Sequence, residues 1–232
     1  PEETYVEVSE FTRIEAGVDT ELRYLLVVNK RTREEDDRHI TVKLAPSAGG
    51  YAQWKVTNVM TGDIWIVEGS DDPDEFTRAN GFTEYFEPGA AALFRLEPME
   101  DWNLEFDGLC LSGSIYIEPE ATLISDYDHL RFDTEKGVFC DGYYRASHSA
   151  FECCDIEQRW YGLQARDEGS ILVNNCTLDN TMVGVSVGSA AVAYLDETTL
   201  TNTTIALANL GGYLHTRFTT AQSCDDLYLL SS

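Results

Sequence analysis

Five polar side chains that could perform acid–base chemistry lie in one short stretch of the chain. Asp126, Asp128, His129, Arg131 and Asp133 fall within eight residues. Carboxylates beside a cation are the groups with which many polysaccharide-cleaving enzymes transfer protons and stabilise charge. The alternative is a hydrated polar face without chemistry. We keep the five as a candidate set and assign no catalytic residue.

A second polar set recurs at a spacing of 22 residues. Glu152, Asn174 and Asp196 would occupy the same bend of three successive turns if the chain wound once every 22 residues. Oxygen ligands stacked at that spacing suit Ca²⁺, so the sequence predicts a calcium candidate and no other cofactor. The alternative is a bend with simply hydrated side chains. The acidic loop 71–75 is a second cation candidate, or a plain acidic loop.

Apolar residues share this period of 22, which is typical of a solenoid whose repeats bury their apolar faces only by stacking. Within one repeat the apolar residues alternate in short runs separated by Asn and Asp, which indicates three strands and three bends. The expected columns are Phe151–Val173–Leu195, Cys154–Cys176–Thr198, Ile156–Leu178–Leu200, Gly162–Gly184–Ala206 and Leu163–Val185–Leu207.

This pattern resembles the right-handed, pectin-lyase-like parallel β-helix proteins in its coil length, inward aliphatic residues and Asn-rich bends. The resemblance runs from about Gly108 to the C-terminus and implies a secreted bacterial protein. The Asn-Thr-Asp, Gly-His-Gly and Arg-Ile-Lys signatures of the polygalacturonase relatives are absent. The likeness therefore implies a fold rather than an activity.

The N-terminal part predicts an antiparallel β-sandwich. Apolar runs at 21–29 and 39–44 flank a highly charged tip, which indicates a hairpin. Further short strands are expected at 53–59, 64–67, 82–86 and 92–96, with turns at Thr61-Gly62 and Pro88-Gly89. The predicted organisation is an all-β chain with a sandwich over 1–98, a joint at 99–107 and a β-helix over 108–232.

The end of this sandwich also resembles a known type. The Pro88-Gly89 turn and the closing run 93–96 are similar to the C-terminal accessory β-sandwich of secreted glycoside hydrolases. In that setting the domain is an accessory, and a catalytic partner would lie upstream of Pro1.

Six cysteines match neither a CxxC metal site nor a dense disulfide scaffold. Cys154 and Cys176 are expected one coil apart, close enough for a disulfide. Two buried free thiols are the alternative.

A formal net charge of −25 disfavours nucleic-acid binding, since such a surface repels phosphate. No run of 18 apolar residues is present, so no membrane span is expected. The chain begins at Pro1 without Met, which fits a processed or excised fragment, and we expect an extracellular or cell-surface location.

Two further residue sets have structural and functional interpretations. Asn180 and Asn202 recur at one bend, where stacked amides would hydrogen-bond along the solenoid. Asn175 and Asn202 also head glycosylation sequons, which we interpret as chance matches. The aromatic residues form a possible sugar-stacking platform, or in the case of Trp160 part of the core: Tyr127, Tyr143, Tyr144, Trp160 and Tyr161.

We therefore predict a non-catalytic structural protein that self-assembles head to tail into a filament or surface layer. Exposed strand edges recruit other strands unless they are covered. The expected assembly residues are Tyr5, Val6 and Val8 at one end and Leu227, Tyr228 and Leu229 at the other. The alternative is a carbohydrate-binding or polysaccharide-degrading fragment.

Overall fold

A computed structural model describes residues 6–15, 18–31, 38–46, 50, 52–70, 81–100, 102–103 and 106–230. The chain divides into two compact units, Pro1–Glu100 and Asp101–Ser232. Both are built from β-strands, so the all-β prediction is confirmed. No helix long and apolar enough to cross a membrane occurs in the described part of the chain.

In the N-terminal unit, the described residues form a five-stranded antiparallel sheet, in the order β1-β2-β7-β4-β5, and a separate antiparallel pair, β3-β6. The strands are β1 (Val6–Glu15), β2 (Val18–Asn29), β3 (Arg38–Lys43), β4 (Gln53–Asn58), β5 (Ile64–Glu68), β6 (Gly81–Phe86) and β7 (Ala91–Met99).

Aromatic side chains join these two layers. Phe82 of β6 is fully buried, with its ring centroid 4.8 Å from Phe94 of β7 and 5.4 Å from Trp65 of β5. Since Phe82 belongs to the two-stranded layer and its partners to the five-stranded one, the layers pack face to face as a sandwich.

The predicted hairpin between 21–29 and 39–44 is wrong, although both segments are strands. β2 already pairs with β1 on one edge and β7 on the other, so it has no edge left for β3. β3 pairs instead with β6 in the other layer. The charged tip at 32–37 lies outside the described residues.

The C-terminal unit is a parallel β-solenoid of about five coils with close to 22 residues each. Sheet I is β9-β12-β15-β18-β21-β24, sheet II is β10-β13-β16-β19-β22, and sheet III is β8-β11-β14-β17-β20-β23. The strands are β8 (Asp107–Leu111), β9 (Ile115–Ile117), β10 (Thr122–Asp126), β11 (His129–Phe132), β12 (Gly137–Cys140), β13 (Tyr143–Ser147), β14 (Ala150–Cys153), β15 (Gly162–Ala165), β16 (Ser170–Asn174), β17 (Thr177–Asp179), β18 (Val183–Val187), β19 (Val192–Asp196), β20 (Thr199–Thr201), β21 (Ile205–Asn209), β22 (Tyr213–Arg217), β23 (Thr220–Gln222) and β24 (Asp226–Leu230).

Aliphatic columns fill the solenoid, because inward residues of successive coils lie in register about 4.8 Å apart. The predicted column Leu163–Val185–Leu207 is confirmed, and so are the pairs Val173–Leu195 and Leu178–Leu200. Leu178 and Leu200 are fully buried. The period of 22 therefore holds in the last coils.

The same register fails one coil earlier. Phe151 pairs with Leu178 instead of Val173, and Ile156 is 82% exposed instead of stacking on Leu178. The connection from β14 to β15 spans residues 154–161, whereas 180–182 and 202–204 suffice in the next two coils. These five additional residues shift every alignment drawn from Phe151 to Trp160.

One bend of the solenoid is a single residue in the left-handed region. Five residues between sheets II and III have φ from 48° to 60°: Tyr127, His148, Asn175, Glu197 and Phe218. Such a residue reverses the chain direction without lengthening the coil. Only one of the five is Asn, so the tight coil pairing holds ordinary side chains in this conformation.

Candidate functional site

The five candidates between residues 126 and 133 do not converge. Asp126 ends β10 in sheet II and lies 3.4 Å from Nδ1 of His148. His129 and Arg131 project from β11 in sheet III, and Asp128 and Asp133 occupy the bends that flank it. The candidate set is therefore spread over two sheets and the bends of one coil.

His129 and Arg131 instead surround Glu152, a residue assigned by sequence to the calcium stack. Glu152 Oε1 lies 2.9 Å from Arg131 Nε and 3.1 Å from His129 Nε2. Glu152 belongs to sheet III, while Asn174 and Asp196 are neighbours in sheet II. The predicted three-residue stack is wrong, because the long connection 154–161 displaces Glu152 from that column.

Asp196, the remaining acid of that stack, is held by a cation. The Arg217 Nε donates to Asp196 Oδ1 at 2.9 Å, and an Arg217 NH₂ group donates to Oδ2. These hydrogen bonds lower the pKa of Asp196 and raise the pKa of Arg217. Among the described residues, no group of three or more His, Cys, Asp or Glu is arranged to hold a metal ion. The loop 71–75 lies outside them.

The disulfide predicted between Cys154 and Cys176 is wrong. Cys154 is bonded to Cys110 of β8, with Cα atoms 5.8 Å apart and 44 residues between them. Cys176 is a buried free thiol that stacks on Thr198. Because Cys154 begins the long connection, it leaves the column of Cys176 and reaches back to the first coil.

The buried free thiols are poor nucleophiles. Burial raises the pKa of Cys140 to about 12. Burial also raises the pKa values of Cys153 and Cys176. Because the thiolate is the reactive form, these side chains act as small core residues.

The predicted aromatic platform is divided between core and surface. Tyr144 and Trp160 are fully buried, the former donating to Ser125 Oγ at 3.1 Å. Tyr127 is 75% exposed and stacks on the His148 imidazole at 4.5 Å. Burial of its hydroxyl raises the pKa of Tyr144. The core interpretation of Trp160 is therefore correct, although it pairs with Thr181.

Asn180 and Asn202 do lie at one bend, each with positive φ. They are not linked to each other through a printed amide ladder. Asn202 Nδ2 instead donates to Asp179 Oδ1 at 2.8 Å, and Thr201 donates to the same oxygen at 2.6 Å. The bend is therefore braced by an Asp carboxylate that the sequence pattern did not single out.

An aromatic pocket on the outward face of sheet II is a site that sequence reasoning missed. Leu172, Tyr194 and His215 form one outward column, and Asn174, Asp196 and Arg217 form the next. Together they line a pocket of about 300 Å³. Tyr194 lies 5.9 Å from His215 and 5.7 Å from Tyr213. A flat ring beside hydrogen-bonding groups suits a sugar. The available signal was the spacing of 21 residues between Tyr194 and His215.

A second aromatic cluster lies on the outward face of sheet I. The rings of Tyr116 and Phe139 stack 5.1 Å apart, and the Arg166 guanidinium lies 5.0 Å from the Phe139 centroid. Asp141 accepts from Arg166 at 2.8 and 3.1 Å. The cation is thus held by both an acid and two rings, which stabilises the coil surface.

The predicted assembly residues lie on strand edges where the structure describes them. Val8 is 52% exposed on β1, and Leu227 and Tyr228 are 64% and 45% exposed on β24. Val6 is half-buried at the start of β1. Tyr5 and the side chain of Leu229 lie outside the described residues.

Comparison with known proteins gives no match: no family model, no curated protein and no solved structure resembles the chain closely enough to identify a relative.

Proposed function

We propose that this chain is a non-catalytic, extracellular structural module that associates with copies of itself through strand edges to build a filament or surface layer. The observation that carries the proposal is the exposure of apolar side chains along two outer strands. Leu227 and Tyr228 project from β24, and Val8 and Phe11, the latter 51% exposed, project from β1. Within the described residues, β24 pairs with β21 alone and β1 with β2 alone.

Such edges offer unpaired main-chain groups together with side chains that gain from burial. Strand addition uses both, because main-chain hydrogen bonds contribute affinity and side-chain contacts contribute specificity. The large negative charge opposes association of identical chains. Assembly should therefore strengthen as salt screens that charge.

The arrangement of the candidate acids supports a non-catalytic role. Asp196 is held by Arg217, and Glu152 by Arg131 and His129. A general acid or base needs a proton-transfer partner on the substrate, whereas these carboxylates are engaged in ion pairs. The Cys110–Cys154 disulfide supports an extracellular location, since such bonds persist in oxidising compartments.

The proposal retains the finer likenesses drawn from the sequence. Three strands per coil with crossover connections favour a right-handed, pectin-lyase-like winding, because parallel crossovers are nearly always right-handed. The Pro88-Gly89 turn before β7, with Gly89 at φ 72°, supports the likeness of the sandwich to glycoside-hydrolase accessory domains.

Sedimentation velocity and negative-stain microscopy over a salt series test this function. We expect species larger than a monomer that increase with salt. Tyr228→Lys should shift the population towards monomer, because it places an ammonium group in the contact. Tyr143→Lys is the matched control, since Tyr143 is 38% exposed on a strand inside sheet II. A wild-type protein that stays monomeric at every salt and protein concentration would refute self-assembly.

A second candidate function is binding of a neutral saccharide at the aromatic pocket of sheet II. The specific observation is the Tyr194 ring flanked by the Asn174 amide and the Asp196–Arg217 pair. Affinity electrophoresis in gels containing a neutral glucan or xylan tests it. Tyr194→Ala should abolish retardation, while Tyr127→Ala, which removes an exposed ring elsewhere, should not. Equal mobility of wild type and both variants in every gel would contradict this function.

A further inference from the structure

The free edge of β1 is regular over only part of its length. Val6 to Thr12 pair with β2 without interruption, and the register shifts between Thr12 and Ile14. A bulge at that place twists the strand away and ends any flat edge available to a second strand. Seven residues, 6–12, therefore form the usable edge.

This edge is electrically neutral on a strongly acidic chain. The edge contains two acids, Glu7 and Glu10, and each contacts a cation. Glu7 lies 2.9 Å from Lys30, and Glu10 lies 3.7 Å from Arg23. Two copies with a formal charge of −25 each repel one another over most of their surfaces, so contact is least opposed where the local charges cancel.

Apolar surface lies on both faces of the same edge. Val8 is 52% exposed and, with Glu10, lines one side of a groove of about 360 Å³. The groove floor includes Leu25, Trp54 and Leu96 of neighbouring strands. Phe11, on the opposite face, is 51% exposed. A second strand at this edge would cover part of both side chains.

We propose, as a refinement that rests on the self-assembly proposed above, that two copies of the chain pair through their β1 strands in antiparallel fashion about a two-fold axis at Ser9. The two five-stranded sheets then become one ten-stranded sheet. The partner is a second copy because the edge is self-complementary: Ser9 faces Ser9, Val8 faces Glu10, and Glu7 faces Phe11 of the other copy.

The alternatives to this register are worse. An axis at Glu10 would place two like charges directly opposite each other, which destabilises a strand pair. An axis at Glu7 would do the same. An axis at Val8 would leave Thr12 and Phe11 beyond the partner's residues 6–12. Only the axis at Ser9 uses the whole regular stretch without facing like charges.

One strand edge buries little surface, so the pair should be weak, with a dissociation constant on the order of micromolar or higher. Covalent trapping detects such a pair. In antiparallel strands, directly opposite residues have Cβ atoms about 4.5–5.5 Å apart, near the range of a disulfide. Ser9→Cys therefore places two thiols within reach of each other across the axis.

Thr12→Cys is the matched control on the same strand. Its counterpart in the second copy is offset by six residues, about 20 Å along the strand, so it cannot form the bond. Both variants are made in the full chain with Cys224→Ser, because Cys224 is the one half-exposed free thiol among the described cysteines. Melting curves by circular dichroism verify that both variants fold.

Under mild oxidation, we expect Ser9→Cys to give a covalent dimer on a non-reducing gel at least tenfold faster than Thr12→Cys. Equal trapping of the two variants would overturn the Ser9 register. If the wild type forms higher species in sedimentation but Ser9→Cys does not trap them, the β1 interface is wrong and the self-assembly proposal survives. A monomeric wild type without trapping would defeat both.

Discussion

The indole of Trp160 lies parallel to the ring of Phe132, with centroids 4.8 Å apart and 10° between the planes. Trp160 belongs to the long connection 154–161, while Phe132 lies on β11. Its Nε1 donates to the Asp179 carbonyl at 2.8 Å. The end of a bend therefore inserts the largest side chain of the core, which compensates for the irregular coil.

Trp160→Ala should lower the free energy of unfolding of the C-terminal unit by about 3–5 kcal/mol, because it leaves a large cavity. Urea unfolding followed by circular dichroism measures this change. Trp102→Ala is the control, since Trp102 is 57% exposed and should change stability by less than about 1 kcal/mol. Equal effects of the two substitutions would contradict the core assignment of Trp160.

Removing the disulfide should also destabilise the unit. Cys110→Ser should cost about 4 kcal/mol, the chain-entropy estimate for a loop of 44 residues. Cys176→Ser should cost far less, because Cys176 stacks between Ser149 and Thr198, whose hydroxyl groups the column already accommodates. Thermal melts with and without reductant measure both variants. Reductant should lower the Tm of wild type and Cys176→Ser but leave Cys110→Ser unchanged; the reverse pattern would favour a Cys154–Cys176 bond.

Glu84 makes the sandwich sensitive to pH. Burial, with a smaller contribution from the nearby Asp63 charge, raises its pKa above the ordinary 4.5. The ionised form is thus disfavoured in the folded state, so its cost is full above the raised pKa and disappears as pH falls below 4.5. Glu84→Gln should raise Tm by roughly 1–3 °C at pH 7 and by nothing at pH 4. A gain that is equal at both pH values would contradict this origin.

Calcium should not stabilise this chain through the residues that the 22-residue period singled out. The carboxylates of Glu152 and Asp196 are already neutralised by Arg131 and Arg217. We expect the melting curve to be the same with a chelator as with added Ca²⁺. A lower Tm in chelator that Ca²⁺ restores, and that Asp196→Asn removes, would show that the cation displaces Arg217.

The sequence predicted the solenoid because its last coils are strictly periodic. Leu178–Leu200 and Val185–Leu207 follow from spacing alone. It also located the strands of the sandwich, where turn residues separate apolar runs. Their pairing was less accessible: β2 and β3 are consecutive in sequence but belong to different layers, and nothing local encodes that choice.

The candidate sites were predicted less well, for one physical reason. An insertion in a bend leaves the strands intact but moves every later residue by a fixed number of positions. Glu152 and Cys154 precede the long connection, so their partners could not be found by adding 22. The pocket around Tyr194 was hidden differently, since His215 and Arg217 belong to the last coil, where the period becomes 21.

The Cys110–Cys154 bond also gives the chain a direction under mechanical load. Force at the C-terminal end acts first on the last coil, which has one neighbouring coil in the described structure, and each released coil of 22 residues would add about 75 Å of length. The residues enclosed by the bond cannot extend, so roughly 150 Å should be withheld until a reductant is added. Single-molecule extension with and without reductant would measure that hidden length, and the solenoid would then behave as a spring with a covalent stop.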